Sequence, residues 1–363
     1  MNSTVLLHFL TSSTRSLRDC FTIFDHILII KAFKRFKMGE IQKIGFFTSG
    51  GDAPGMNAAI RAIVKTALHY GIIPIGIHDG FDGMIQGKFQ QMNYNDVDNI
   101  IHLGGTILGS ARSKSFRTPE GRQQAADQLH KKNIDALIVI GGDGSFAGAN
   151  ILFKEHKIPY IGLPGTIDND LYGTDASIGY DTALNTIVRA VDQIRDTASS
   201  HHRIFFVEVM GRNAGFLALN SAIASGAESV LIPETITNIP ELAQEIKTQN
   251  KGKRSSIIIV AEGDDEGGAT EIVEKVRPHL DGYELRTTIL GHTQRGGTPS
   301  YFDRALATRS GIYAVEQLIQ GKSGSMIGIH ADEIITVTIE KSIDDSSTPN
   351  LNKEFLLKKL LTK

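Results

Sequence analysis

The sequence predicts an α/β protein of two domains, each built on a parallel sheet, with the active site in the cleft between them. After Met38 the chain alternates short β-branched runs with longer helical patterns, the signature of strands covered by helices. Each run ends in a glycine-rich turn, and open α/β sheets bind ligands beyond the carboxyl ends of their strands. At 363 residues the chain exceeds what a single hydrophobic core usually supports.

The strand runs, in order, are Lys43 to Thr48, Ile72 to Ile77, Ala136 to Ile140, Tyr160 to Leu163, Arg203 to Val209 and Ile257 to Ala261. A helix opens after the first run and continues to about Tyr70. A long helical pattern spans Asp181 to Thr197, and the polar Ala198 to His202 after it is expected to carry the chain into the second sheet. The chain shows no internal repeat, no low-complexity linker and no apolar run long enough to span a membrane.

Composition narrows the function classes. With 41% apolar and 21% charged residues, the chain buries a real core and is not dominated by disorder. A net charge of -2 gives no basic footprint for nucleic acid. Cys20 is the only cysteine, which excludes an intrachain disulfide and a thiolate metal cluster and fits a reducing, cytoplasmic setting. Residues 1–38 are basic and place their apolar cluster between charges, unlike a secretory leader. They are expected to be an extension, disordered or read from an upstream start, because Met38-Gly39-Glu40 directly before the first strand makes a natural beginning.

Three turns carry candidate chemistry. Ser49-Gly50-Gly51-Asp52-Ala53-Pro54-Gly55 follows the first strand and opens a helix, so its backbone can approach a phosphate at a helix N-terminus; it would also serve as a plain tight βα turn. Gly141-Gly142-Asp143-Gly144-Ser145 repeats the design with a carboxylate between glycines. Beside a phosphate that carboxylate suits a bridging Mg2+, although an Asp can also bond its own turn. Leu163-Pro164-Gly165-Thr166-Ile167-Asp168-Asn169-Asp170 sets two carboxylates on one side of an extended segment, one able to take a hydroxyl proton and the other to assist metal or positioning; an Asx-rich surface turn is the alternative. Arg112, Arg203, Arg212, Arg286 and Arg295 sit beside turns and glycines, where guanidinium forks can bind phosphate or balance a transferring phosphoryl group.

Taken in order, TSGGDAPGMNAAIR, GGDGS, PGTIDND, RDTASSHHR, VEVMGRNAG and GHTQRGG resemble the ATP-dependent phosphofructokinases, over nearly all of residues 40 to 340. The resemblance implies two Rossmann-like parallel-sheet domains. An ATP-binding domain would take 39–177 plus 290–340, and a fructose 6-phosphate-binding domain 178–289 plus 341–363. It assigns Gly51, Arg112, Ser113, Gly142, Asp143, Gly144 and Ser145 to ATP, with Mg2+ on Asp143. It makes Asp168 the catalytic base, with Arg212, Thr166 and Asp170 beside it.

By the same resemblance fructose 6-phosphate is contacted by Thr166, Ile167, Asp168, Met210, Gly211, Arg212, Glu262, His292, Thr293, Gln294 and Arg295, with Arg203 and Arg286 reaching over from a neighbouring subunit of a homotetramer. An effector pocket for ADP or phosphoenolpyruvate would use Arg61, Lys65, Arg195, Gly226, Glu228, Lys251 and Lys253. Pyrophosphate-using relatives carry Asp where this chain has Gly144 and Lys where it has Gly165, which favours ATP as donor. A pyrophosphate-dependent enzyme and a catalytically silent sugar-phosphate-binding subunit are the competing readings. The second predicts loss of an acidic residue, whereas Asp143, Asp168 and Asp170 are all present. Lys65 and Tyr94 depart from arginines common in the family and imply a weaker or different allosteric response. Ser113 replaces an aromatic beside the nucleotide.

Overall fold

The computed structural model describes residues 41–201, 203–249, 255–344 and 347–352. The extension expected over 1–38, the effector residues Lys251 and Lys253, and residues 353–363 of the second expected domain lie outside the described residues.

A seven-stranded sheet holds β1 (Lys43–Thr48), β2 (Ile73–Ile77), β3 (Phe89–Gln91), β4 (Ala136–Gly141), β5 (Tyr160–Pro164), β10 (Ser325–His330) and β11 (Glu333–Thr338) in the order β11-β10-β5-β4-β1-β2-β3. A four-stranded sheet orders β7 (Ser229–Leu231), β8 (Ser256–Ala261), β6 (Arg203–Val209) and β9 (Glu284–Ile289) as β7-β8-β6-β9. All pairings in the smaller sheet are parallel. The larger one is mixed rather than purely parallel, because β3, reached from β2 through a short helix, and β11, joined to β10 by a hairpin, add antiparallel at its two edges. Antiparallel neighbours need only a tight turn, whereas every parallel pair needs a crossover.

In the large sheet β1 leads outward to β2 while β4, on its other side, leads to β5. The order therefore reverses between β1 and β4, and the crevice opens at their carboxyl ends. Helices α1 (Met56–His69), α2 (Gly80–Gln86), α3 (Pro119–Lys131) and α4 (Asp143–His156) follow β1, β2 and the long connection before β4, and β4 itself. Helix α5 (Tyr180–His201) carries the chain from the large sheet to β6, and α6 (Phe216–Ser225), α7 (Ile239–Gln249) and α8 (Ala269–Val276) serve the small sheet. Helix α9 (Tyr301–Ile319) returns the chain to the large sheet and packs along α1. A Cβ at Gly311 would stand 2.8 Å from that of Ala62 and 3.0 Å from the Ala59 carbonyl oxygen, so glycine allows this close helix contact. The short helix α10 (Ile339–Asp344) packs on α4 and β11.

The sequence places the end of α5 too early. Ala198 is fully buried, and the hydroxyls of Ser199 and Ser200 both donate to the Asp196 carbonyl, so the helix continues through His201. Each sheet has its own core. Phe47, Phe146 and Tyr160 anchor the large one, and Phe206, Ile258 and Ile272 the small one. Each such Phe or Ile side chain contributes about 1.5–3 kcal/mol on burial.

Candidate active site

A cleft of about 630 Å³ opens at the β1/β4 crevice. Its walls include Gly51 after β1, Gly142, Asp143, Gly144 and Ser145 after β4, Gly165, Thr166 and Asp170 after β5, and Arg112 and Ser113 from the long connection. Arg212, following β6, and Arg295, from the 3-10 turn Gly291–Arg295 after β9, complete it from the small-sheet side.

The two glycine turns meet the cleft differently. At the second, Gly142 is the N-cap of α4 and its carbonyl accepts from Ser145 N and Phe146 N. The first amides of the helix therefore lack intrahelical acceptors beside Asp143, which is an anion-binding arrangement. At the first, the cleft receives Ser49 to Gly51, while Asp52 to Gly55 intervene before α1. Gly55, at φ 110°, turns α1 away, so here the loop backbone faces the site rather than the helix end.

Asp168, 1% exposed, is buried behind the cleft wall, beside the lining residues Arg212 and Arg295. Its Oδ2 is 3.4 Å from Arg212 Nε and its Oδ1 3.9 Å from Arg295 Nη2. Oδ1 is buried and accepts no hydrogen bond among the described residues. Burial pushes the carboxyl above the usual carboxylate range, and Arg295 and then Arg212 pull it back. Asp170, half-buried, is pushed up to about 6, first by burial and then by the negative charge of Asp168. Arg295 also donates from Nη1 to the Asp52 carbonyl at 3.1 Å, which ties the β1 turn to the base.

The flanking backbone is held in uncommon conformations. Arg212 has φ 52° and Asn169 φ 56°. A non-glycine residue there costs on the order of 1 kcal/mol, so neighbouring contacts must hold it. Glu262 Oε1 accepts from Gly211 N at 3.3 Å and Arg212 N at 2.9 Å. The fully buried Gln294 accepts from Met210 N at 3.1 Å. Asn169 is locked because its Oδ1 accepts from Ser177 N at 2.7 Å while its Nδ2 donates to the Asp175 carbonyl. Met210, Gly211, Glu262 and Gln294 thus surround Arg212, and Thr166 Oγ1 accepts from Asp168 N. Ile167 is fully buried, whereas His292 and Thr293 are exposed on the 3-10 turn.

Two expected residues do not join this cluster. Arg203 begins β6 and pairs with Glu284 at 3.0 Å, and Arg286 also engages Glu284. A seven-residue strand separates Arg203 from Met210 by about 20 Å. Of the effector residues, Arg195 Nη2 donates to the carbonyls of Ser225 and Gly226, and Nη1 is 3.6 Å from Glu228. Lys65 pairs with Asp98 at 2.9 Å and lies over the Tyr94 ring, one turn along α1 from Arg61.

The cleft also uses residues without a motif signal. Phe81 and Phe116 stack with centroids 3.9 Å apart, and Arg122 reaches back to Glu155 through a two-pronged ion pair. Ala147, Gly148 and Ile151 line it one and two turns after Asp143, a helical spacing that the sequence offers once α4 is recognised. Ser113 Oγ donates to Asp82 and accepts from Phe116 N, so its hydroxyl is engaged within the protein.

Comparison with known proteins matches the same region. The model of the family described as phosphofructokinase matches residues 43–318. The chain is 53% identical to ATP-dependent 6-phosphofructokinase 2 of Bacteroides thetaiotaomicron, over 89% of this chain and 99% of that one. It is 51% identical to ATP-dependent 6-phosphofructokinase 1 of Thermus thermophilus, over 84% and 94%. Among solved structures, phosphofructokinase from Saccharomyces cerevisiae overlays with a TM-score of 0.79 at 37% identity, covering 89% of this chain, which spans 48% of the yeast chain. A pyrophosphate-dependent phosphofructokinase from Marinobacter aquaeolei has the same TM-score at 20% identity and shows the fold alone. With the family match running from β1 into α9 and bracketing every turn that lines the cleft, this chain belongs to the phosphofructokinase family.

Proposed function

We propose that the chain is an ATP-dependent 6-phosphofructokinase, transferring the γ-phosphoryl group of ATP to the 1-hydroxyl of fructose 6-phosphate to give fructose 1,6-bisphosphate and ADP. The observation that carries this reading is the buried Asp168 Oδ1, which accepts no hydrogen bond among the described residues and belongs to a carboxylate held between Arg212 and Arg295, the two arginines that line the cleft from the small-sheet side.

The acceptor hydroxyl attacks the γ-phosphorus, a new O–P bond forms, and the bond to the β,γ-bridging oxygen breaks. The hydroxyl proton passes to Asp168 Oδ1, which burial makes more basic than an exposed carboxylate. Arg212 and Arg295 supply positive charge within 4 Å of that carboxylate and at the cleft wall, where the transferring group carries its negative charge. The backbone at Gly51 and from Gly142 to Ser145 binds the phosphates.

Among the described residues no three His, Cys, Asp or Glu side chains cluster to hold a metal by themselves. Asp143 lines the cleft, and its charge raises the Asp170 carboxyl. An oxygen-only site with few protein ligands, completed by phosphate and water, fits Mg2+. Asp143 would hold it with Asp170 nearby, and the ion would neutralise phosphate charge.

Of the two donor-linked glycines, Gly144 supports ATP as donor, whereas a side chain at Gly165 would meet the core. A Cβ at Gly144 would meet nothing within 4 Å, so a side chain there would occupy the cleft. A Cβ at Gly165 would lie 3.0 Å from Ile140 Cγ2 and 3.1 Å from Met56 Cε. The distance of Arg203 and Arg286 from their own cleft supports their service to a neighbouring subunit in a homotetramer. The Arg195, Gly226 and Glu228 group and the Arg61 and Lys65 pair support an effector site for ADP or phosphoenolpyruvate. Sheet membership supports the two-domain division up to residue 340, whereas 341–344, expected in the second domain, continue α10 and pack on α4 and β11 of the large sheet. Among the described residues no helix is long and apolar enough to cross a membrane.

Incubation with ATP, Mg2+ and fructose 6-phosphate, followed by phosphorus NMR, is expected to show ADP and a second phosphomonoester appearing together. ATP loss that does not depend on the sugar phosphate would overturn the reading.

A further inference from the structure

Asp303, in the first turn of α9, is fully buried. In an ordinary capping box the acidic residue three positions after the N-cap returns to the N-cap amide. Here Ser300 Oγ accepts from Asp303 N at 3.2 Å, but the carboxylate reaches across to α5 instead. Oδ1 accepts from Gly179 N at 2.8 Å, and Oδ2 accepts from Thr182 N at 2.8 Å and Thr182 Oγ1 at 2.5 Å. The amide of Ser300 is served in turn by Thr182 Oγ1 at 2.9 Å. Two helix starts therefore cap each other.

A third start joins them. A Cβ at Gly55, the N-cap of α1, would stand 3.4 Å from the Asp303 Cβ, and one at Gly179 would stand 2.6 Å from the Ala53 Cβ. One buried carboxylate thus sits where three helix starts converge; burial pushes it up to about 6, and the Thr182 hydroxyl and the Gly179 and Thr182 amides pull against that. Each helix is preceded by a segment of the site: the Gly50 to Asp52 turn before α1, the Asp168 to Asp170 turn before α5, and Arg295 before α9. Ser177, two residues before Gly179, donates to the Thr166 carbonyl at 2.6 Å and continues the link to the base. Helix α5 also packs on the 3-10 turn that carries Arg295.

We infer that Asp303, with Thr182, is a positioning residue that keeps Arg295 between the Asp52 carbonyl and the Asp168 carboxylate. It touches neither substrate nor the reacting atoms. It acts by fixing the three helix starts whose preceding segments Arg295 bridges. This inference rests on the phosphoryl-transfer reading above, and the test separates the two.

Thr182→Val removes the hydroxyl and keeps the shape, whereas Thr182→Ser restores it. The first is expected to lower kcat about tenfold or more with KM for ATP changed less than about threefold, and the second to recover kcat to within about twofold. A cycle with Arg295→Ala identifies the route. Asp303→Asn, or Thr182→Val if the Asp303 variant does not fold, should cost about tenfold in the parent and less than about twofold once Arg295 is gone. Equal losses in both backgrounds, or a lower Tm with kcat per folded molecule unchanged, would overturn the inference.

Hydrogen exchange on the same Thr182→Val protein gives a readout free of turnover. Residues 166–178 and 291–297 should both exchange faster, and protection unchanged at both would count against the node. An inactive parent with faster exchange in the variant would condemn the phosphoryl-transfer reading and leave the node standing.

Discussion

Replacing Asp168 by Asn separates catalysis from stability because the two are expected to move in opposite directions. The carboxyl is 1% exposed, and burial outweighs the pull of Arg295 and Arg212, so its charged form is disfavoured where it sits. Asn keeps the shape and drops the charge, so Tm near neutral pH is expected to hold or rise. The side chain can no longer take the hydroxyl proton, and loss of a general base costs about 10²–10⁴ in rate, or roughly 3–5 kcal/mol in the barrier. Nucleotide affinity should change far less, because the phosphate cradle at Gly142 to Ser145 is untouched. A coupled assay for kcat and thermal unfolding of the same preparation provide both numbers. A variant that keeps its kcat, or one that loses activity in step with a Tm several degrees lower, would refute this account of Asp168.

Three further outcomes follow from the site. Gly144→Asp has open space for its side chain and should fold normally. A second negative charge about 6 Å from the phosphates, at an effective dielectric near 20, costs about 3 kcal/mol and should weaken ATP binding about 10²-fold by isothermal titration. Asp170 sits at about 6 in the fold against an ordinary 3.8. Its stabilising contribution is therefore full below about pH 4 and lost as pH rises through about 6, at most roughly 3 kcal/mol, and urea unfolding of Asp170→Asn at pH 5 and 8 should lack that part of the slope. Arg286→Ala should raise KM for fructose 6-phosphate with little change in kcat. Mixing it with Asp168→Asn protomers under exchange conditions should restore sugar-phosphate affinity at some sites, and strictly averaged kinetics would deny a shared site.

The sequence was most legible where backbone chemistry is local. The boundaries of β1 and β6 follow from apolar runs ending at a turn, and the glycines and carboxylates of all three cleft turns announce themselves. The unread strands lack such signals. In β7 three residues are too few, and β9, an edge strand, is half solvated and polar. The β10–β11 hairpin turns through Ala331 at φ 48° and Asp332 at φ 67°, with no glycine to mark it. Arg309 stabilises that turn through an ion pair with Asp332 at 2.6 Å, a contact between residues far apart in sequence. The same holds within the site. The hold of Glu262 on Arg212 N and of Asp303 on Thr182 joins positions tens of residues apart, visible only once the sheets are assembled.

The central claim is the donor and acceptor of the phosphoryl group, and the most direct measurement is steady-state turnover of purified protein with fructose 6-phosphate and either ATP or pyrophosphate, each with Mg2+. Turnover with ATP of about 1–10³ s⁻¹, the ordinary enzyme range, with none above background on pyrophosphate, is the expected result. Turnover with pyrophosphate and none with ATP would contradict it.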